Sequence, residues 1–245
     1  MQNTGMLQDK TFLLTGASRG IGAAIAEALG AAGAKVALVA RDQTRLQQVA
    51  DAVSNAGGQG HVEVVDLTEE AALCDLVGRL NKKWGCLDGL INNAGVADSS
   101  PIGQTASETW DRLMAVNARA AFILCRESLD LLRRADKPCI INISSVVGVK
   151  GYPNQVAYSA SKHALRGMSI ALANELKDEK INVHVICPGG VATDMATTMR
   201  PDINLDKMIQ VEEIARLVIY LLTGSGNGVI DELHIRRQSS DPWFG

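Results

Sequence analysis

An alternation of short apolar β-type runs with amphipathic helical stretches constrains the fold more than any other feature of the sequence. Helix-forming stretches such as 23–32 and 45–55 separate the β-type runs, which cover 11–14, 36–39, 61–65, 87–91, 139–143 and 182–186. Strands that are apolar on both faces are typical of a parallel sheet covered by helices on each side. The sequence therefore predicts an α/β fold with a doubly wound parallel sheet.

The chain is long enough to form one large hydrophobic core. Of its 245 residues, 47% are hydrophobic and 21% are charged, which is typical of a folded globular protein. No repeat, low-complexity tract or long linker divides the sequence, so residues 1–245 are predicted to form a single domain. Residues 194–210 show no clear period, and residues 239–245 indicate an irregular end. Ligands of doubly wound sheets bind beyond the carboxyl ends of the strands, so 194–210 is a candidate substrate-covering segment.

Charge and cysteine content argue against several kinds of partner and compartment. The net charge of -3 provides no basic field for a nucleic acid or an anionic membrane. The five cysteines are odd in number and widely separated, so free thiols are expected. Residues 1–10 do not resemble a secretory leader, and no uninterrupted apolar run reaches the ~18 residues of a membrane span. We therefore expect a cytoplasmic protein that binds neither nucleic acid nor membrane.

A glycine-rich turn links the first predicted strand to an alanine-rich helix. Gly16 allows a tight turn, Gly20 allows close approach of the backbone to a bound group, and Gly22 allows the helix to pack closely on the strand. The helix N-terminus then faces an anion such as a pyrophosphate. Such a turn can also be purely structural, but its position in a doubly wound pattern favours nucleotide binding. The candidate cofactor-binding residues of the turn are Gly16, Ser18, Arg19, Gly20, Ile21 and Gly22.

The end of the second strand indicates which dinucleotide binds. An NAD site usually has an acidic side chain there, but this sequence has Ala40 followed by Arg41 and Asp42. Arg41 and Arg19 provide two guanidinium groups that suit a 2′-phosphate. Asp42 could instead turn towards a ribose, and both arginines could be solvated surface charges. The prediction is NADP(H) rather than NAD(H).

Tyr158 and Lys162 lie four positions apart in a helix-forming segment, so they share one helix face. A free tyrosine ionises near pH ~10, and a fixed lysine cation lowers that pKa by stabilising the phenolate. This is what a general acid for carbonyl reduction requires. An isolated Tyr–Lys pair is common, so its surroundings decide the interpretation.

These motifs together resemble the short-chain dehydrogenase/reductase family, including its NADP-dependent carbonyl reductases, and the match runs from about residue 11 to 222. Several short motifs occur in the family order: the glycine turn, Asp66-Leu67, Asn92-Asn93-Ala94-Gly95, Asn117, Ser145, Tyr158 with Lys162, and Pro188-Gly189 with Thr193. The interval from Ser145 to Tyr158 also matches the family and favours Ser145 over Ser144. The resemblance implies a Rossmann-type fold.

The resemblance implies hydride transfer between the nicotinamide C4 and a carbonyl or alcohol carbon. Tyr158 would give the proton, and Ser145 would orient the substrate oxygen. Lys162 would bind the nicotinamide ribose and lower the tyrosine pKa, while Asn117 would hold a water that connects the lysine to solvent. Further implied cofactor contacts are Asp66, Leu67, Asn93, Ala94, Gly95, Pro188, Gly189, Val191 and Thr193. No metal is required, and the four histidines match no ligand spacing.

Candidate substrate contacts follow from their positions near the catalytic residues. They are Val96, Ser145, Val147, Val149, Tyr152, Gln155, Tyr158, Met195 and Met199. Most are apolar, which favours a ketone or aldehyde on a hydrophobic skeleton over a free sugar. The same side chains could equally belong to the core.

Two alternatives remain open. Reduction of a 3-oxoacyl group on an acidic carrier protein would need a basic docking face, for which Arg133, Arg134, Lys137 and Arg166 are candidates; those reductases commonly end in a strand and a glycine pair, whereas this chain reads Val229 to Arg237 without one. A non-catalytic NADP-binding regulatory or scaffold protein is the second alternative. Family members form dimers or tetramers, here through helices containing 118–134 and 155–177, so a homodimer or homotetramer is expected.

Overall fold

The computed structural model describes residues 5–199 and 202–242, with the side chain of Met199 outside that description. Its centre is one seven-stranded sheet in the order β3-β2-β1-β4-β5-β6-β7, and every neighbouring pair is parallel. The strands are β1 Thr11–Thr15, β2 Lys35–Ala40, β3 Gln59–Val64, β4 Gly89–Asn92, β5 Cys139–Ile143, β6 Asn182–Pro188 and β7 Glu232–Ile235. The predicted doubly wound parallel sheet is confirmed.

Helices cover both faces of the sheet. They are α1 Gly20–Ala31, α2 Gln43–Asn55, α3 Glu70–Trp84, α4 Ser107–Met114, α5 Ala120–Leu132, α6 Val156–Leu176, α7 Asp194–Met199 and α8 Val211–Thr223. Apolar side chains of α1, α2 and α8 form a core on one face, and those of α3, α5 and α6 form a core on the other. Burial on both faces explains why the inner strands are mostly apolar without alternation.

The chain changes direction across the sheet at β1. Strands β1, β2 and β3 follow one another towards one edge, whereas β4 lies on the other side of β1. This is the topological switch point, beyond which ligands of doubly wound sheets bind. The turns after β1 and β4 both open there, which places the predicted glycine turn and residues 93–95 at one crevice.

Residues 194–210 contain regular structure that the sequence pattern did not reveal. Helix α7 occupies Asp194–Met199, and a short 3₁₀ turn occupies Leu205–Lys207. Residues 200 and 201 lie outside the described part of the chain. Beside this segment, Val191 pairs with Ile209 in an isolated bridge, and the amide of Ala192 donates to the carbonyl of Ile209 at 2.9 Å. The segment is therefore attached at both ends close to the end of β6.

The C-terminal part adds an edge strand to the sheet. In the register of β6 and β7, Cys187 pairs with His234 and Pro188 with Ile235. Arg236 and Arg237 follow the strand where a glycine pair was the family expectation. Residues 239–242 form turn and irregular structure, whereas 243–245 lie outside the description. Within 5–199 and 202–242, no helix has both the length and the apolar character needed to cross a membrane.

Candidate active site

The glycine turn after β1 has the close packing that its sequence predicts. Gly16 and Gly20 have φ values of 66° and 57°, a region that favours glycine. A Cβ on Gly22 would lie 2.1 Å from the carbonyl oxygen of Gly16, so helix α1 can approach the turn only without a side chain there. The first turn of α1 has no acidic residue and, among the described residues, no side-chain cap at Arg19. Its amide donors are therefore available to an anion.

The turn after β4 is fastened to the glycine turn by hydrogen bonds. Thr15 Oγ1 accepts from the amides of Asn93 and Ala94, both at 3.1 Å. Asn93 Nδ2 donates to the carbonyls of Thr15 at 3.0 Å and Gly16 at 3.2 Å. The side chain of Asn93 therefore holds the two turns together, and Thr15, which the sequence did not single out, is its partner.

The charged groups at the ends of β2 and of the glycine turn form exposed pairs. Arg41 Nη1 lies 3.9 Å from Asp66 Oδ2, and Arg19 Nη1 lies 3.1 Å from Asp194 Oδ2. Asp66 Oδ1 accepts hydrogen bonds from the backbone amide and the hydroxyl of Thr68. The hydrogen bond from the backbone amide is the main reason that the pKa of Asp66 is lowered. Leu67 is buried beside it.

The side chain of Asp42 faces helix α2. Its side chain caps helix α2 by accepting from the amide of Arg45 at 3.0 Å. It also lies 3.4 Å from the guanidinium of Arg45. Both interactions direct the carboxylate towards α2, which leaves Arg41 as the charged side chain at the end of β2.

Asn117 lies in a π-helical turn, Ala115–Arg119, between α4 and α5. Such turns occur often at functional sites. Asn117 is 1% exposed; its Oδ1 accepts from the amide of Val96 and its Nδ2 donates to the Val96 carbonyl, both at 2.8 Å. Nδ2 also donates to Ser161 Oγ at 2.9 Å, and Ser161 donates to the carbonyl of Tyr158. Asn117 thus links the loop after β4 to α6.

Ser145 and Tyr158 are brought together across the crevice. Ser145 follows β5 with extended backbone, and its Oγ accepts from the amide of Val147 at 3.3 Å. Tyr158, in the first turn of α6, is 9% exposed. Burial raises the pKa of Tyr158, while its hydrogen bond with Ser145 acts in the opposite direction.

Lys162 lies one helical turn beyond Tyr158 and is 3% exposed. Its Nζ donates to the carbonyl of Ile143 at 2.9 Å, and burial lowers its pKa to about 8. The expected lowering of the Tyr158 pKa by Lys162 is not found, because burial dominates at both groups and disfavours each charged form. Ser144, the neighbour that the sequence set aside, donates to the carbonyl of Lys162 at 3.1 Å.

The segment after β6 lies against the other side of the crevice. The amide of Gly189 donates to Ile235 at 2.7 Å, and Ser145 Oγ donates to the carbonyl of Pro188 at 3.5 Å. Val191 is buried. A Cβ on Gly20 would lie 3.3 Å from Thr193 Cγ2, so Thr193 lies directly over the glycine turn.

The structure places only some of the candidate substrate contacts beside Tyr158. Val147 packs with Tyr158 in a small apolar cluster against which Val96 lies partly buried. Val149, Gln155 and Met195 are partly buried, while Tyr152 is exposed with Lys150 5.2 Å from its ring centre. Met199 has no described side chain. Val96 and Val147 therefore form the apolar wall nearest to Tyr158.

A doubly wound sheet with a glycine turn at its switch point, and with Ser145 and the buried Tyr158 and Lys162 beside it, is the arrangement of a nucleotide-dependent oxidoreductase. The family model described as short chain dehydrogenase matches residues 10–204. The chain belongs to the short-chain dehydrogenase family.

Individual relatives extend over most of the chain. A 3beta-hydroxysteroid dehydrogenase of Mediterraneibacter gnavus is 34% identical, with 81% of this chain and 72% of the relative covered. A 3-oxoacyl-[acyl-carrier-protein] reductase of Escherichia coli K12 is 32% identical, with 93% and 96% covered. A crystal structure of a short chain dehydrogenase from Shigella flexneri 2a, complexed with NADP, is 31% identical and aligns with a TM-score of 0.89 over 95% of this chain and 98% of the other.

Proposed function

We propose that this protein is a single-domain NADP(H)-dependent oxidoreductase that transfers a hydride between the nicotinamide and a carbonyl or alcohol carbon of a small, largely apolar substrate. The observation that most supports this is the hydrogen bond between Ser145 and Tyr158 with the buried Lys162 ammonium one turn away. A binding or scaffold role would not require a proton donor held in this way.

The crevice fits a dinucleotide with a 2′-phosphate. The uncapped first turn of α1 presents amide donors to a pyrophosphate, and Gly16 and Gly22, which have no room for a Cβ, hold this helix end close to the turns after β1 and β4. Arg41 and Arg19 are each paired with an exposed carboxylate, and an exposed pair of this kind contributes only about 0–1 kcal/mol. A phosphate can therefore replace those partners. The NADP bound by the Shigella flexneri relative supports the same cofactor here.

The catalytic residues act on the substrate oxygen and its proton. When bound, the nicotinamide supplies or accepts the hydride. Because burial raises the pKa of Tyr158, the phenol is protonated at neutral pH and can donate its proton as the alkoxide forms. Ser145 holds the same oxygen by a hydrogen bond. Lys162, with a pKa of about 8, is mostly charged at neutral pH and would bind the nicotinamide ribose from the same helix face.

The apolar wall favours a hydrophobic ketone or alcohol as substrate. Val96 and Val147 lie beside Tyr158, and apolar side chains cannot satisfy the many hydroxyl groups of a free sugar. The relative that acts on 3β-hydroxysteroids supports an alicyclic carbonyl. Residues 194–210 would cover this wall.

Reduction of a 3-oxoacyl carrier protein is the second candidate, because a reductase of that name is among the relatives. The basic face it requires is largely compensated. Arg133 pairs with Glu179 and Asp130, Arg134 donates to Asn81 and Gly85, and Arg166 pairs with Glu232. The carboxylates beside Arg133 and Arg166 reduce the positive field that an acidic carrier would meet, whereas the partners of Arg134 are neutral.

A homodimer through the helices that flank the site is part of the proposal. A shallow groove of about 530 Å³ lies between the α4–α5 region and α6, and its lining includes Ala118, Phe122, Ala164 and Met168. Phe122, Val156 and Ile170 are exposed. Exposed apolar area on adjacent helices is typical of a protein–protein interface.

The test is NADPH oxidation, with NADH in parallel, against aliphatic, alicyclic and aromatic ketones, aldehydes, quinones and 3-oxoacyl thioesters. Tyr158→Phe should lose nearly all turnover while binding NADPH normally. Tyr220→Phe is the matched control, since Tyr220 is 60% exposed on α8. Retained turnover in Tyr158→Phe would refute the assigned role of the phenol, and NADPH binding without turnover on any substrate would favour the scaffold alternative.

A further inference from the structure

A cluster of four polar side chains lies where α6 meets the neighbouring strands β6 and β7, of which β7 is the edge strand. Arg166 of α6 binds Glu232 of β7 through two hydrogen bonds, Nε to Oε1 at 2.5 Å and Nη2 to Oε2 at 2.8 Å. Cys187 of β6 donates to Glu232 Oε1 at 3.3 Å. His234 Nε2 lies 2.8 Å from the same oxygen. One carboxylate therefore holds three elements of the fold together.

This cluster is connected to the catalytic residues through short contacts. Arg166 follows Lys162 by four positions on α6, so the two share a helix face. Ser144 donates to the carbonyl of Lys162 and also hydrogen-bonds the thiol of Cys187. The residue after Cys187 is Pro188, whose carbonyl accepts from Ser145. These contacts join α6, which carries Tyr158 and Lys162, to the ends of β5 and β6 beside Ser145.

The cluster does not have the character of a metal site, although Cys187, Glu232 and His234 offer three ligand-type atoms within 4.8 Å. Both oxygens of Glu232 are engaged by the guanidinium of Arg166. The hydrogen bonds from Arg166 lower the pKa of Glu232 to about 2, so the carboxylate remains charged at neutral pH. The cationic partner of this carboxylate is Arg166 of the protein itself.

We propose that Glu232 is a positioning residue: by holding Arg166 and Cys187, it fixes α6 against β6 and β7 and so sets the places of Lys162 and Tyr158 at the nicotinamide end of the site. This inference rests on the proposed function. It gives the C-terminal strand, whose sequence lacks the expected glycine pair, a part in the reaction. A displacement of about 1 Å at catalytic groups can reduce a rate about 100-fold.

The experiment compares Glu232→Ala and Glu232→Gln with Glu179→Ala. Glu179 is a matched control because it forms a similar two-bond pair with Arg133, at 2.6 and 3.0 Å, beyond the far end of α6. Each protein is tested for NADPH affinity, for affinity to 2′,5′-ADP, and for kcat. 2′,5′-ADP carries only the adenosine bisphosphate half of NADPH. Its affinity therefore reports binding at the glycine-turn end of the site without the nicotinamide end.

Glu232→Ala should lower kcat by about tenfold or more and weaken NADPH binding by about three- to tenfold, with 2′,5′-ADP affinity unchanged. Glu232→Gln, which keeps an acceptor for Arg166, should recover part of both losses, and Glu179→Ala should match the wild type. Arg166→Ala should resemble Glu232→Ala, and the double variant should be no worse than either single variant.

Two results would overturn the inference while leaving the proposed function intact. One is Glu232 variants that retain wild-type kcat and NADPH affinity. The other is equal weakening of NADPH and 2′,5′-ADP, which would indicate a general loss of structure. A wild type that binds no NADPH would instead refute the proposed function, and the inference with it.

Discussion

Replacement of Lys162 by methionine should stabilise the folded protein, although it removes a proposed catalytic group. Lys162 is 3% exposed, and burial lowers its pKa from 10.5 to about 8. A lowered lysine pKa means that folding disfavours the charged form, and each pKa unit corresponds to about 1.4 kcal/mol. The folded state therefore bears a cost of roughly 3 kcal/mol below pH 8. Replacement by methionine removes this cost and so stabilises the folded state. It also removes the hydrogen bond to the Ile143 carbonyl, which offsets ~1 kcal/mol of the gain.

The sign of the pH dependence provides the sharper test. Between pH 8 and 10.5 the unfolded chain binds more protons at this lysine than the folded protein does, so wild-type stability rises with pH across that window. The expected gain of Lys162→Met, roughly 2 kcal/mol at neutral pH, should therefore shrink towards pH 10.5.

Urea unfolding of the wild type and Lys162→Met, at neutral pH and near the upper end of this window, measures both effects. Lys82→Met on the exposed surface of α3 is the control and should change little at either pH. A Lys162→Met protein that is less stable than the wild type at neutral pH, or a gain that does not depend on pH, would refute this reasoning.

Two further substitutions test the glycine turn and the proposed dimer. Gly22→Ala would place a Cβ 2.1 Å from the carbonyl of Gly16 and should lower the free energy of unfolding by about 1–3 kcal/mol and weaken NADPH binding. Gly78→Ala in α3, where no atom lies within 4 Å of the added Cβ, should instead raise the free energy of unfolding by about 0.5–1 kcal/mol. Equal effects of the two substitutions in urea unfolding would contradict the packing argument. Ala164→Arg, in the groove beside α6, should sediment as a monomer while Gln48→Arg on the exposed surface of α2 remains a dimer, and a monomeric wild type would disprove the interface.

The sequence predicted the fold because the strands at the centre of the sheet are apolar along most of their length. Phe12, Leu13 and Leu14 of β1 are almost entirely buried, and that burial on both faces is what an unbroken apolar run requires. Helix α7 was not predicted, because six residues give too few turns for a period to be recognised. Helix α7 has Asp194 in its first turn, where a carboxylate stabilises the helix.

The positions of the catalytic candidates could be predicted, but not their electrostatics. Tyr158 and Lys162 share a helix face by spacing alone. The direction of their pKa values depends on burial, which arises from contacts distant in sequence, such as that between Lys162 and Ile143. The same holds for Arg166 and Glu232, which are 66 positions apart. No local pattern indicates such pairs.

The preference for NADPH is expected to depend on Arg41. Its guanidinium is 68% exposed at the end of β2, and Asp42 is committed to capping α2. A charge-assisted hydrogen bond to a phosphate contributes about 1.5–3 kcal/mol, so Arg41→Ala should raise the KM for NADPH about 10- to 100-fold. The KM for NADH should be unchanged, because NADH has no 2′-phosphate.

Arg45→Ala is the matched control, because Arg45 is an exposed arginine nearby whose guanidinium already faces Asp42. It should leave both KM values close to those of the wild type. If Arg41→Ala and Arg45→Ala weaken NADPH binding equally, the cause is the loss of net positive charge. No single side chain then recognises the phosphate. If neither variant changes the ratio of NADPH to NADH efficiency, the geometry at the end of β2 does not determine the cofactor. Steady-state kinetics with both cofactors at low and at high ionic strength distinguish these outcomes, because surface attraction weakens with salt more than a direct contact does.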